Sequence, residues 1–172
     1  GVPAHPHCGF EAITYLLSGE VEHMDSWGGQ ASIETGDIQW MTTGSGLIHS
    51  ELVTDKFKKS GGIMQGLQIW LNLPQKNKKV KPWYQHIKKN DIPDIDEGND
   101  VLIKVLVGKV KNISSAVQTY SPVSIFDVQS IKPSLIDIDI PKNQTVMVYV
   151  IDGELKLHDE NKIARKGQMI YF

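Results

Sequence analysis

The amino-acid sequence predicts an all-β protein that carries two copies of one β-unit. Short apolar runs rich in β-branched and aromatic residues recur between turn residues, and helical periodicity is scarce. "YLLSGEVEHMD" (15–25) reappears as "YVIDGELKLHD" (149–159). In the same order, "TGDIQW" (35–40) reappears as "KGQMIY" (166–171). Two ordered matches make a repeat the better reading than chance likeness between hairpins.

The elements follow in chain order. "AHPHCGFE" (4–11) is extended, because Pro6 disfavours a helix and suits edge backbone. "FEAITYLL" (10–17) runs through Ser18-Gly19 into "EVEHMD" (20–25), which predicts a hairpin with a tight turn. "SWGG" and "ETGD" are turns around a short strand at 31–33, and "IQWM" (38–41) leads through the loop "TTGSG" to "LIHSEL" (47–52). "GLQIWLNL", "VLIKVLVG", "VSIFDV", "LIDIDI", "TVMVYVI" and "ELKLHD" complete the predicted strands. At most a turn or two of helix is expected, between Ile87 and Ile92. The repeat divides the chain into residues 1–87 and 88–172.

At 172 residues with 40% hydrophobic and 22% charged content, the composition is that of a soluble globular protein. No apolar run reaches the length needed to span a bilayer. A net charge of −2 gives no general attraction to nucleic acid. The basic stretch "KNKKVK" (76–81), with Lys88 and Lys89, reads as solvated loop charge. A single cysteine, Cys8, excludes an internal disulfide and points to a reducing cytoplasm. The chain opens without methionine and reaches its sharpest motif by residue 5, which suggests an internal fragment.

That motif is a pair of histidines. His5 and His7 would diverge on a helix but share a face on a strand, where side chains alternate. "GLIHSE" (46–51) offers a second pair at the same spacing, His49 and Glu51, just after a glycine-rich loop. Together they make three imidazoles and one carboxylate. Such a nitrogen and oxygen set suits Fe, Ni, Cu, Mn or Zn, and the absence of thiolate disfavours a closed structural zinc. Glu11 is the competing carboxylate. It lies four residues beyond His7 and is assigned a place beside the ligands or as a substitute ligand. His23, His86 and His158 have no such partners and read as ordinary residues. Cys8 alternates away from His7 and is expected to pack rather than ligate. The second copy has Asp139, Pro141 and Thr145 where the first has His5, His7 and Glu11, so metal chemistry belongs to the first copy.

"HPHCGFE", "GDIQWMTTGSGLIHSE" and "GLQIWLNLP" together resemble the pirin family of the cupin superfamily. The likeness is strong before about residue 88 and looser after it. It implies double-stranded β-helix barrels in a bicupin arrangement, both incomplete here, with a metal only in the first. Carried over, the family's ligands fall on His5, His7, His49 and Glu51, with Fe(II) the usual ion. Cys8 stands where the family commonly has arginine.

Family members divide between dioxygenases cleaving flavonols such as quercetin and iron-dependent transcription coregulators. The first activity implies a small aromatic substrate and dioxygen, with Glu51 or Glu11 taking the substrate's hydroxyl proton and carbon monoxide lost as the ring opens. Phe10, Trp40 and Met41 are the pocket candidates. The second implies a protein partner bound according to iron oxidation state.

Overall fold

The computed structural model describes residues 1–157 and 162–172. They form two compact units, Gly1–Ser134 and Leu135–Phe172. The 87/88 boundary of the repeat does not coincide with this division, since a repeat boundary and a packing boundary are set by different things.

The first unit is built on two four-stranded antiparallel sheets. One holds β1 (Val2–His7), β3 (Glu20–Asp25), β4 (Gln30–Glu34) and β6 (Leu47–Val53), ordered β1-β6-β3-β4. The other holds β2 (Phe10–Ser18), β5 (Ile38–Thr42), β7 (Gln65–Asn72) and β8 (Trp83–Ile87), ordered β7-β2-β5-β8. Strand alternation decides what each face carries. On β2, Ala12 packs with Met41 and Leu47, while Leu16 joins Val21 and Ile33, so this face closes on the first sheet. Ile13 and Tyr15 point the other way, into a core with Ile38, Trp40, Ile92, Leu106, Val107 and Val117. The β7-β2-β5-β8 sheet is therefore buried on both faces through its central strands.

A short helix, α1 (Asp55–Ser60), joins the sheets after β6. The sequence reading missed it, although Thr54, Asp55 and Gly61 are ordinary start and stop residues. Thr54 Oγ1 accepts from the Phe57 N–H at 3.1 Å. Beyond β8 come a 3-10 turn at Lys89–Asp91, inside the expected helical stretch, and a sheet of β9 (Asp94–Gly98), β10 (Val101–Val107) and β13 (Ile125–Ser130). A small pair, β11 (Lys109–Val110) and β12 (Ile113–Ser114), fills the gap before β13.

The second unit contains β14 (Met147–Tyr149), β15 (Glu154–Lys156), β16 (Ile163–Arg165) and β17 (Met169–Tyr171), paired β14-β17 and β15-β16.

The strands expected at "FEAITYLL", "EVEHMD", "IQWM", "LIHSEL", "GLQIWLNL", "VLIKVLVG" and "VSIFDV" are present. Two expectations are corrected. The Ser18-Gly19 turn does not close a hairpin: β2 and β3 lie in different sheets, and Gly19, at φ +102°, turns the chain across from one to the other. "LIDIDI" (135–140) forms no strand. Its alternation is real, but Leu135 is 82% exposed and the run has no ladder partner. His158 lies outside the described residues.

Candidate metal centre

The site grows from one register. β1 pairs with β6 so that His5 stands opposite His49 and His7 opposite Leu47. Directly opposed residues share a face, and alternation adds Glu51 two residues beyond His49. Along β6, Leu47, His49 and Glu51 are buried while Ile48 and Leu52 are exposed. β3 lies on the other side of β6, placing His23 opposite Glu51 and Asp25 opposite His49. The loop before β6 is held close by backbone bonds, Gly9 N–H to the Gly44 carbonyl and Ser45 N–H to the Val80 carbonyl. Gly44 has positive φ, and a Cβ there would fall on the Val80 carbonyl, so only glycine fits.

Three imidazoles converge. His5 Nε2 lies 2.9 Å from His7 Nε2 and 3.0 Å from His49 Nε2. His5 Nδ1 donates to the Pro3 carbonyl at 2.8 Å, which leaves Nε2 of the neutral ring as a lone pair facing both other rings. Burial holds His49 down to about 3, with His5 adding to the effect, and burial likewise lowers His7. Neutral imidazole nitrogens meeting at one point, without a thiolate, are the donor chemistry of a first-row divalent ion, so the residues fit a metal.

Glu51 is close to this cluster but is not part of the convergent trio. It groups with His49 and His23, donor atoms of the three lying within 4.8 Å of one another. Its Oε1 accepts from Gln39 Nε2 and from Thr14 Oγ1, and its Oε2 from Gln68 Nε2 at 3.2 Å. The structure thus brings His5, His7 and His49 together and places Glu51 with His49 and His23.

Glu11 requires a correction. It is fully buried, but its Oε1 accepts from Trp40 Nε1 at 2.9 Å and Thr42 Oγ1 at 2.7 Å. Those partners lie on the face of β2 and β5 turned away from the histidines. The alternation assumed from His7 to Glu11 fails because β1 ends at His7 and Gly9, at φ +78°, reverses the chain before β2. Trp40 goes with Glu11, so it is not beside the site. Phe10 is: its ring lies 5.0 Å from His7 and 4.7 Å from Trp70, which itself packs 5.4 Å from His7. Met41 lies beneath Phe10 in the core of the same face. Cys8 is exposed, with Sγ 3.5 Å from the Gly44 carbonyl, and takes no part in the cluster.

His23, read from sequence as ordinary, is fully buried beside the trio. It stacks on Tyr84 at 4.3 Å and meets Asp25 through Nε2 at 3.0 Å. Burial raises the Asp25 carboxyl, but hydrogen bonds from His23 and the Gly29 and Trp27 amides outweigh it and leave the group lowered. The period-two spacing of His23 and Asp25 was the available signal. His86 is a structural residue, bonded to Asp37 at 2.9 Å.

A two-sheet cupin fold with this histidine cluster defines a class, and the comparisons define the family within it. Residues 1–71 match the family model Pirin. The protein named "Putative quercetin 2,3-dioxygenase PA2418" from Pseudomonas aeruginosa is 38% identical over 172 residues, covering 98% of this chain and 59% of that one. Pirin-1 of Arabidopsis thaliana is 39% identical over 155 residues, 90% of this chain and 51% of its own. A crystal structure of quercetin 2,3-dioxygenase from Acinetobacter baumannii has a TM-score of 0.91 at 37% identity, over 99% of this chain and 59% of that one. The chain belongs to the pirin family. It spans between half and three-fifths of the length of these relatives. Among the described residues, no helix is long and apolar enough to cross a membrane.

Proposed function

We propose that the chain carries the metal centre of a dioxygenase that cleaves a flavonol such as quercetin with dioxygen. The observation that supports this most is the meeting of His5, His7 and His49 nitrogens within about one hydrogen-bond length. These three residues would hold one divalent transition-metal ion, with Glu51 as the fourth donor. Fe(II) is the first choice, and Ni, Mn, Cu or Zn suit the same donors. Once bound, the ion would supply Lewis acidity toward the substrate's enol oxygen and an open position for dioxygen.

The remaining work falls to the chain. Phe10 and Trp70 form an aromatic wall beside His7 on which a planar ring system would lie. Glu51, the buried carboxylate on this side of the sheet, would accept the hydroxyl proton of the substrate. Gln39 and Gln68 hold its two oxygens from different strands and so fix its direction. Ala12, Met41 and Leu47 close the floor against water. Residues 1–87 are then the metal-bearing repeat, and 88–172 the repeat without a metal. The single free thiol suits the cytoplasm.

The test is oxygen consumption and carbon monoxide release by the iron-loaded protein given quercetin. Uptake that depends on both iron and quercetin is expected. An iron-loaded protein that consumes no oxygen would overturn the dioxygenase reading and leave iron-dependent binding of a protein partner as its successor.

A further inference from the structure

Two buried imidazole nitrogens near the metal centre, Nδ1 of His23 and Nδ1 of His49, have no hydrogen-bond partner among the described residues. Both residues are all but inaccessible, at 0% and 1% exposure. An unpaired buried polar atom costs about 1–3 kcal/mol, so a pair of them in neighbouring rings calls for a reason. The other nitrogen of each ring is engaged. His49 Nε2 points at His5, and His23 Nε2 points at Asp25. The two rings lie 5.4 Å apart between centroids.

The tautomers follow from these engagements. Asp25 also accepts from the Trp27 N–H at 2.7 Å and the Gly29 N–H at 3.0 Å, so it is a fixed acceptor. It takes the Nε2 proton of His23 and leaves Nδ1 of His23 as a lone pair. If Nε2 of His49 offers its lone pair to an ion, the proton of His49 must reside on Nδ1. One ring then has a donor and its neighbour an acceptor, and both otherwise lack partners.

We infer that His23, held by Asp25, is the positioning residue for His49: one buried water carries the Nδ1–H of His49 to the Nδ1 of His23. This orients Nε2 of His49 toward His5 and His7. Ligating histidines generally pass their second N–H to such an acceptor, which fixes the tautomer and the ring plane. A histidine rather than a carboxylate fills the role here, and Asp25 backs it one step further out. Tyr84 stacked on His23 prevents the ring from turning away. The inference rests on the metal-site reading above, but its first readout does not need activity.

That readout is 15N NMR of the histidine rings in the chain loaded with diamagnetic Zn(II). His49 is expected as the neutral Nδ1–H form. His23→Phe keeps the ring stacked on Tyr84 and removes both nitrogens, and should shift His49 toward a mixture of tautomers. His23→Asn keeps an acceptor near the δ position and should restore much of the native signal. In parallel, Ni(II) affinity is measured by calorimetry. His23→Phe should weaken it by about 10- to 100-fold, the usual range for outer partners of a ligand, and Asp25→Asn by less. Should His23→Phe fail to unfold cooperatively, Asp25→Asn and His23→Asn carry the same comparison. Unchanged His49 nitrogen shifts and unchanged Ni(II) affinity in His23→Phe and Asp25→Asn would overturn the inference, as would a His23→Asn variant that restores nothing. A native chain that binds neither Zn(II) nor Ni(II) would overturn the metal-site reading, whereas a chain that binds them with His49 shifts unmoved by His23→Phe would overturn the inference alone.

Discussion

The two copies of the β-unit share a backbone register and differ in chemistry. In the first, Tyr15 pairs with Ile38 and Glu20 with Glu34. In the second, the corresponding Tyr149 pairs with Met169 and Glu154 with Arg165. The turn bonds also agree: Leu16 N–H to Asp37 and Gly36 N–H to Leu16 recur as Val150 N–H to Gln168 and Gly167 N–H to Val150. The side chains that hold Glu51 do not recur. Thr14 and Gln39 correspond to Val148 and Ile170, and His23 corresponds to Leu157. What the two copies share is the main-chain hydrogen bonds, the glycine turns and the buried apolar positions Leu16/Val150 and Ile33/Ala164. Among the described residues the polar network appears in the first copy, at positions that leave the ladder unchanged.

The comparison can be broken first at the ligands. His49→Ala removes the ring common to both donor groups, and metal affinity should fall by more than about 100-fold, beyond the usual loss for an outer partner. Calorimetric titration of Ni(II) or Fe(II) checks it, and binding within tenfold of native would count against the centre. The next effect is on stability. Trp40→Ala opens a cavity on the far face of the sheet and leaves Glu11 short of a donor, which together should cost about 3–5 kcal/mol in denaturant unfolding. If the variant folds at all, its metal affinity should change far less than that of His49→Ala.

A finer test writes the second copy's residue into the first. Gln39→Ile gives the aligned position the side chain of Ile170 and takes one donor from the Glu51 carboxylate. About a tenfold loss of metal affinity is expected, with strand pairing intact by circular dichroism. The reverse change, Ile170→Gln, lies at a partly exposed position with no carboxylate to serve. It should shift stability by no more than about 0.5 kcal/mol and create no metal binding.

Two of the buried carboxylates of the first unit, Glu51 and Glu11, show where sequence reasoning stopped. Glu51 was legible because it follows His49 within one regular strand, where alternation holds. Glu11 was not, because the inference ran from His7 across Gly9, a break between strands, and parity does not survive such a break. His23 was passed over as a histidine without partners, whereas its place beside His49 comes from β6 lying between β1 and β3, a neighbourhood no local pattern reveals. The supposed hairpin at Ser18-Gly19 is a similar case, for a tight glycine turn fits a return to the same sheet or a crossing to another.

What the sequence determined by itself was the all-β class, the repeat, the family and the two donor pairs at period two. Each is a local property, fixed by alternation, by turn residues and by residue identity. Only the tertiary structure decided which strands neighbour which, and hence that His5, His7 and His49 meet while Glu11 faces away. That choice depends on the packing of two sheets around shared apolar cores, and the energy of burial is a sum over residues distant in the chain.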